Sequence, residues 1–320
     1  MEKVPTLIVD DMRQFNEYLN QQLKNRIPLL DKILKYIIRQ KGKQMRPMFV
    51  LLCARLGGHI SEASFRAATL VELLHTATLV HDDVVDEADQ RRGFFSVNAV
   101  WKNKVAVLAG DFLLSKGLLI SLDNNEFETL KILAEAVRQM SEGELLQIEK
   151  SRKLNLDESI YYEIIKGKTA SLIGSACSAG AFSTFRNMED AEKLRQFGEK
   201  VGMAFQIKDD LFDYGKADVG KPTGNDIKEK KLTLPLIHTL NHCDKTLRRK
   251  IIYAIKNKNT DKDTIKYVLD AVKSHGGIQY ATEKMYAFRD DALAMLHQYP
   301  ESEARNALEQ LVRFTTDRKF

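Results

Sequence analysis

Asp82-Asp83-Val84-Val85-Asp86 closes an apolar run through Leu70, Leu73, Leu74 and Val80, and the pattern returns as Asp209-Asp210-Leu211-Phe212-Asp213. On a helix, positions i, i+1 and i+4 fall within about 100° of arc, so each DDxxD stacks three carboxylates on one face across a single turn. Crowded like charges at a helix end whose dipole is itself negative are unfavourable unless a cation neutralises them. Hard oxygen ligands in this arrangement suit Mg²⁺, which is commonly held by one or two carboxylates and shared with phosphate. A single DDxxD is readily a solvated helix end; two, each after an apolar helix, point to paired metal sites at Asp82, Asp83, Asp86 and at Asp209, Asp210, Asp213.

Outward from these motifs the sequence reads as helix. Hydrophobic residues make up 44% of the 320 residues and only 17 Gly and 6 Pro punctuate them, which favours long helices over many short strands. Pro47 suits the first turn of a helix ending at Gly57-Gly58, and Ser61 with Ser64 caps the next, which runs to about Asp86. Glu87 to Ser96 reads as a polar loop before a helix from Val97. Helices are expected at about 105–121, 126–150, 158–183 and 188–214, then a loop over 215–231 and four or five shorter amphipathic helices. Without a composition shift to mark a linker, one continuous all-α domain over 1–320 is expected.

The net charge of +5 comes from 49 basic against 44 acidic residues, with signs mixed along the chain, so no basic stripe suggests nucleic acid. Cys53, Cys177 and Cys243 lack metal-ligand spacing and read as buried reduced thiols of a cytoplasmic protein. No apolar stretch is expected to reach the roughly 20 residues that span a bilayer. The basic groups cluster where an anion needs them. Lys43 and Arg46 flank a helix start, Arg91 and Arg92 follow the first aspartate motif, and Lys221, Lys228, Lys230 and Lys231 follow the second. His75 lies two turns below Asp82 on the same side, and Gln206 one turn below Asp209 and Asp210.

From Gly42-Lys43-Gln44-Met45-Arg46-Pro47 to Lys231-Leu232-Thr233-Leu234-Pro235 the chain resembles the trans-type polyprenyl diphosphate synthases. Arg91-Arg92, Lys168-Thr169, Phe205-Gln206 and the Gly220-Lys221 loop all stand in that family's order. The resemblance implies an isoprenoid synthase fold, helices around a deep central cavity, usually as a homodimer. It assigns Lys43, Arg46, His75 and Arg92 to isopentenyl diphosphate. Arg91, Lys168, Thr169, Gln206, Lys221 and Lys231 go to the allylic diphosphate, with farnesyl or geranylgeranyl diphosphate as expected primers. Mg²⁺ would bridge that group to Asp82, Asp86 and Asp209 most directly, with Asp83, Asp210 and Asp213 as weaker ligands. Ala77 and Thr78, the fifth and fourth residues before Asp82, stand where short-chain members typically carry Phe or Tyr, so a product of about six to ten isoprene units is expected. Two other readings remain: a short-chain farnesyl or geranylgeranyl diphosphate synthase, and a non-catalytic helical binding subunit. A terpene cyclase usually has Asn, Ser and Glu at its second metal site, where this chain has aspartates.

Overall fold

The computed structural model describes residues 5–40, 42–151, 157–215 and 223–317. The chain is all-α as expected. After a short 3-10 turn come α1 (Val9–Gln22), α2 (Pro28–Arg39), α3 (Met45–Leu56) and α4 (Glu62–Val85). Pro47 sits in the first turn of α3, where its missing N–H costs no intrahelical bond. The Ser61 amide donates to Ser64 Oγ at 3.2 Å and closes the N-terminus of α4. The expected loop at 87–96 is instead a hairpin, with β1 (Gln90–Arg91) antiparallel to β2 (Phe94–Phe95). Arg92 and Gly93 form its turn at φ +53° and +80°, the left-handed pair that matches strand twist. Tyr36 Oη and Gln40 Nε2 donate to Phe95 O at 2.7 and 2.9 Å, so the segment is pinned.

The chain continues through α5 (Val97–Trp101), α6 (Asn103–Leu122), α7 (Phe127–Ser151), α8 (Glu158–Ile165), α9 (Ser171–Phe185) and α10 (Met188–Phe212). The single helix expected over 158–183 is interrupted by a π-turn, Lys166–Ala170, between α8 and α9. The loop expected over 215–231 contains a short helix, α11 (Asn225–Lys228). Then follow α12 (Leu234–His242), α13 (Lys245–Asn257), α14 (Lys262–Ser274), α15 (Gly277–Leu296) and α16 (Glu303–Asp317), of which α15 is as long as the core helices.

Two compact units divide the chain: residues 1–137, 175–196 and 299–308 in the first, 138–174, 197–298 and 309–320 in the second. In the first, α4 is the central helix, and Leu70 and Val71 are fully buried with Phe49 and Leu52 of α3 and Leu113 of α6. Small residues set the close crossing of α4 and α6: a Cβ on Gly110 would lie 2.1 Å from the His81 ring, and one on Gly117 2.9 Å from Leu70. In the second, Ile207 of α10, Leu234 and Leu236 of α12, Ile251 of α13 and Val268 of α14 share one core. Cys53 and Cys177 are buried and unbridged as expected, whereas Cys243 is half-buried.

Helix α6 corrects the expectation about apolar stretches. At 20 residues it is long and apolar enough, by length and composition, to cross a bilayer. One side of it is covered by α4. Along the other, Val107, Leu108, Leu118, Leu119 and Leu122 are 39–59% exposed.

Candidate active site

Helix α4 carries Asp82 and Asp83 in its last turn and Asp86 as its C-cap. Asp82 is half-buried and Asp86 exposed, on the face that also bears Thr78 and His75, but Asp83 is only 2% exposed. Its Oδ1 accepts from Arg91 Nε at 2.6 Å. Burial pushes the Asp83 carboxyl up from its ordinary value, opposed by the Arg91 guanidinium. Asp83 thus orients Arg91 in this structure, while Asp82 and Asp86 keep surface open to solvent.

Arg46 Nη1 lies 3.0 Å from His75 Nε2. A guanidinium only donates, so Nε2 accepts and the proton of the neutral ring sits on Nδ1. Burial, then the charges of Arg46, Arg92 and Arg91, hold the imidazole well below its usual range, so it stays neutral. Nδ1 is itself buried and meets no hydrogen-bond partner among the described residues. A stranded donor of this kind costs roughly 1–3 kcal/mol until a ligand satisfies it. Arg92 Nη1 donates to Gln40 O at 3.1 Å. Its guanidinium carbon would be 2.7 Å from a Cβ on Gly42, so the glycine before Lys43 is what leaves room for it. Gln44, the N-cap of α3, adopts the left-handed conformation at φ +50° and separates exposed Lys43 from half-buried Arg46. Arg91, Arg92 and His75 line one pocket of ≈ 700 Å³, although the sequence resemblance divided them between two substrates.

In the second unit a polar chain runs through the other motif. Thr169 Oγ1 donates to Gln206 Oε1 at 2.7 Å, and Gln206 Nε2 donates to Asp210 Oδ1 at 2.8 Å. Tyr161 Oη donates to Asp210 Oδ2 at 2.7 Å. Both Asp210 oxygens are therefore engaged, and burial raises its pKa to about 6. Asp213 Oδ1 and Oδ2 accept from the amides of Asn225 and Asp226 at 2.8 and 3.0 Å, so that carboxylate ties down the start of α11. Asp209 is half-buried on the same helix. Lys168 pairs with Glu144, and Lys231 with Glu229. The π-turn presents Lys168 and Thr169 where α7 crosses it: a Cβ on Gly143 would come 2.8 Å from the Lys168 amide. Lengthened helical turns are frequent at functional sites, because the extra residue re-aims its neighbours. Lys221 lies outside the described residues.

Lys168, Thr169, Gln206, Asp210 and Lys231 line a pocket of ≈ 670 Å³ together with Tyr161 and Asp226, two residues the sequence reading did not single out. Burial, then the charges of Asp210 and Asp213, raises the Asp226 pKa to about 8. Its only sequence signal was an acidic residue in a Gly- and Lys-rich loop. Since the folded pKa lies above the unfolded one, folding favours the protonated form. The associated stability is complete below about 3.8 and is lost as pH rises through about 8. In EDTA the thermal midpoint is expected to fall between pH 5 and pH 8, and Asp226→Asn to flatten that fall; parallel melting curves for both proteins would refute the assignment.

The donor chemistry fits Mg²⁺. Neither unit gathers three acidic or imidazole groups into a ready cage among the described residues. The solvent-accessible carboxylates of Asp82, Asp86 and Asp209 suit an ion that takes one or two carboxylates and completes its shell with water and phosphate. The raised carboxyls of the second unit mark excess negative charge that a cation would relieve.

Ala77 is fully buried, and Thr78 is half-buried with its hydroxyl donating to His75 O at 2.8 Å. Neither borders the first unit's pocket, which opens on another face of α4.

Known proteins place this geometry. Octaprenyl diphosphate synthase of Escherichia coli is 33% identical over 99% of both chains. All-trans-nonaprenyl-diphosphate synthase (geranyl-diphosphate specific) of Rhodobacter capsulatus is 36% identical over 97% of this chain and 96% of its own. A crystal structure of a decaprenyl diphosphate synthase from Rhodobacter capsulatus superposes with a TM-score of 0.93 at 32% identity, over 99% and 98% of the two chains. The polyprenyl synthetase family model matches residues 27–272. With relatives a third identical along essentially their whole length, an all-α fold in common and an aspartate motif closing each of two long helices, the chain belongs to the polyprenyl synthetase family of prenyl-transferring enzymes.

Proposed function

We infer that this chain is a Mg²⁺-dependent, long-chain trans-polyprenyl diphosphate synthase. It adds isopentenyl diphosphate repeatedly to an allylic diphosphate, farnesyl or geranylgeranyl diphosphate, to reach about six to ten isoprene units. The observation that carries the reading is the repeated motif itself: aspartates at the ends of α4 and α10, each with basic side chains beside them. The names of the relatives, octaprenyl and nonaprenyl diphosphate synthase, support the long product. The absence of an aromatic residue at Ala77 and Thr78 supports it too.

Asp82, Asp86 and Asp209 would hold the Mg²⁺, which when bound supplies charge neutralisation to the departing diphosphate. Lys168 and Lys231 add fixed positive charge to the same group, and Lys221 has that role by resemblance. Gln206, locked by Thr169 and Asp210, holds its amide in one orientation. Lys43, Arg46, Arg92 and the Nδ1–H of His75 take the diphosphate of isopentenyl diphosphate. The substrate's double bond then attacks the allylic cation, a proton is lost and an alkene five carbons longer remains. Among the described residues no side chain stands out as general base, and the released diphosphate is the proton acceptor we assign.

The test is radiolabelled isopentenyl diphosphate with farnesyl diphosphate and Mg²⁺. Long extractable lipid supports synthesis, and no incorporation by folded protein would favour a binding subunit. Lys43→Ala or Arg46→Ala removes a charge-assisted contact worth about 1.5–3 kcal/mol, so KM for isopentenyl diphosphate is expected to rise about tenfold to a hundredfold. A rise confined to the allylic substrate would overturn the division of roles.

The chain is proposed to work in the cytoplasm as one domain over 1–320, because α7, α9 and α10 each contribute residues to both compact units. We assign the exposed apolar stripe of α6 to a second copy of the chain. Asp111 lies within that stripe, and a charge of that kind is tolerated at a protein interface rim far better than in lipid. Leu108→Glu with Leu119→Glu is expected to yield monomer by sedimentation, and a persistent dimer would remove α6 from the interface.

A further inference from the structure

The mixing of acidic and basic residues that holds along most of the chain breaks down on α13. Its 13 residues carry Lys245, Arg248, Arg249, Lys250 and Lys256 and no acidic side chain, an excess equal to the net charge of the whole protein, +5. All five are exposed, and none is in an ion pair among the described residues. Other surface helices neutralise their cations locally, as Arg138 with Glu142, Lys193 with Glu189 and Arg313 with Glu309 do at one-turn spacing. Asp244, the residue before α13, is engaged as its N-cap and accepts from the amides of Thr246 and Leu247 at 2.7 and 2.9 Å.

Helical spacing concentrates the charge. Lys245, Arg249, Tyr253 and Lys256 stand at i, i+4, i+8 and i+11, within about 80° of arc and opposite Ile251, Ala254 and Ile255, which are buried in the core of the second unit. Lys245 and Arg249, one turn apart, repel each other unless an anion lies over both. Tyr253, 60% exposed in the middle of the stripe, offers an amphipathic ring of the kind that settles between lipid head groups and water. The stripe continues past the helix. Lys230 Nζ donates to Lys256 O at 3.1 Å and Asn259 Nδ2 donates to Lys228 O, which sets exposed Lys228 and Lys258 beside its C-terminal end. That same segment carries Asp226 and Lys231 of the second unit's pocket. We propose that this face of α13 docks the enzyme on a bilayer leaflet rich in anionic phospholipid. A cluster of five Lys and Arg on one helix, with an interfacial aromatic among them, matches such a leaflet in charge and polarity. Charge alone would also suit RNA; the leaflet is favoured because the expected product is a lipid that has to leave water, a choice that rests on the long-chain reading above.

Co-sedimentation of the substrate-free protein with vesicles tests the docking without any turnover. Vesicles of phosphatidylcholine with one third phosphatidylglycerol are expected to bind about tenfold or more tightly than phosphatidylcholine alone. The difference should vanish in about 0.5 M NaCl, where surface charges are screened within a few ångströms. Arg249→Gln with Lys256→Gln should weaken binding to the anionic vesicles about tenfold or more, and Tyr253→Ser should weaken it severalfold at unchanged charge. All three side chains are exposed, so the melting temperature and the incorporation of isopentenyl diphosphate in detergent should match the wild type, which keeps a folding defect apart from a docking defect. Equal binding to both kinds of vesicle, undiminished binding by the folded double variant, or tighter binding to single-stranded RNA than to the anionic vesicles would each overturn the proposal. Vesicle binding by a chain that makes no long lipid would uphold the docking face and refute the functional reading; long products from a chain that ignores vesicles would refute the docking alone.

Discussion

Asp82→Ala or Asp209→Ala is expected to lower turnover about 10³-fold or more while leaving the fold intact. Both side chains are at least partly open to solvent on their helices, so neither carboxylate is needed to fill a core. Each loss removes charge neutralisation that matters most as the diphosphate departs, and such electrostatic contributions are commonly worth 10²–10³ in kcat per group, more when a cation is lost with them. Asp83→Ala and Asp213→Ala should behave differently. Asp83 is buried against Arg91 and Asp213 ties down α11, so their removal is expected to lower the thermal midpoint as well as activity. Comparing turnover with melting temperature across the four variants separates the two kinds of aspartate. Near-normal turnover by folded Asp82→Ala or Asp209→Ala would sink the metal assignment.

The second large effect is on product length. Thr78→Phe is expected to convert a distribution of about six to ten units into farnesyl and geranylgeranyl chains, read by chromatography of the extracted lipid. Thr78 lies one turn below Asp82 on the same face and is half-buried, so a ring there projects to the side proposed for the growing tail. Its hydroxyl donates to His75 O within α4, an interaction whose loss costs little. Ala77 was paired with Thr78 by resemblance, yet it has no exposed surface at all. Ala77→Phe overpacks the core, so a melting temperature lowered by several degrees should accompany any change in product. Wild-type products stopping at three or four units would reject the long-chain reading, and unchanged products in Thr78→Phe would reject the channel face.

Metal removal and pH act on different parts of this picture. Mg²⁺ withdrawal should abolish turnover without unfolding the chain, since both cores are built from apolar side chains. The pH response of the metal-free protein is shared by Asp210, raised to about 6, and Asp226, raised to about 8, a carboxyl that no helical periodicity would have revealed.

What the sequence by itself determined was local and periodic. The helical class, the capped start of α4 at Ser61, and the stacking of Asp82 with Asp86 follow from 3.6 residues per turn and from the chemistry of neighbouring residues. The order of motifs along the chain carried the family for the same reason, since order is a property of sequence alone. What only the tertiary structure decided was which of these residues meet. Asp83 and Asp82 are adjacent in sequence and alike in type, but the hairpin brings Arg91 to one of them only. Tyr161 and Asp210, 49 residues apart, share a hydrogen bond because α8 and α10 pack together, and no local pattern encodes a partner at that distance. The π-turn at Lys166–Ala170 arises where Gly143 and Gly167 allow two backbones to approach, a condition set by the crossing of α7 and not by propensity. The stranded Nδ1 of His75 likewise depends on Arg46, 29 residues earlier, having claimed Nε2. Local spacing fixes which face of a helix a side chain occupies; what that face meets is set by long-range packing, whose partners come from distant parts of the chain.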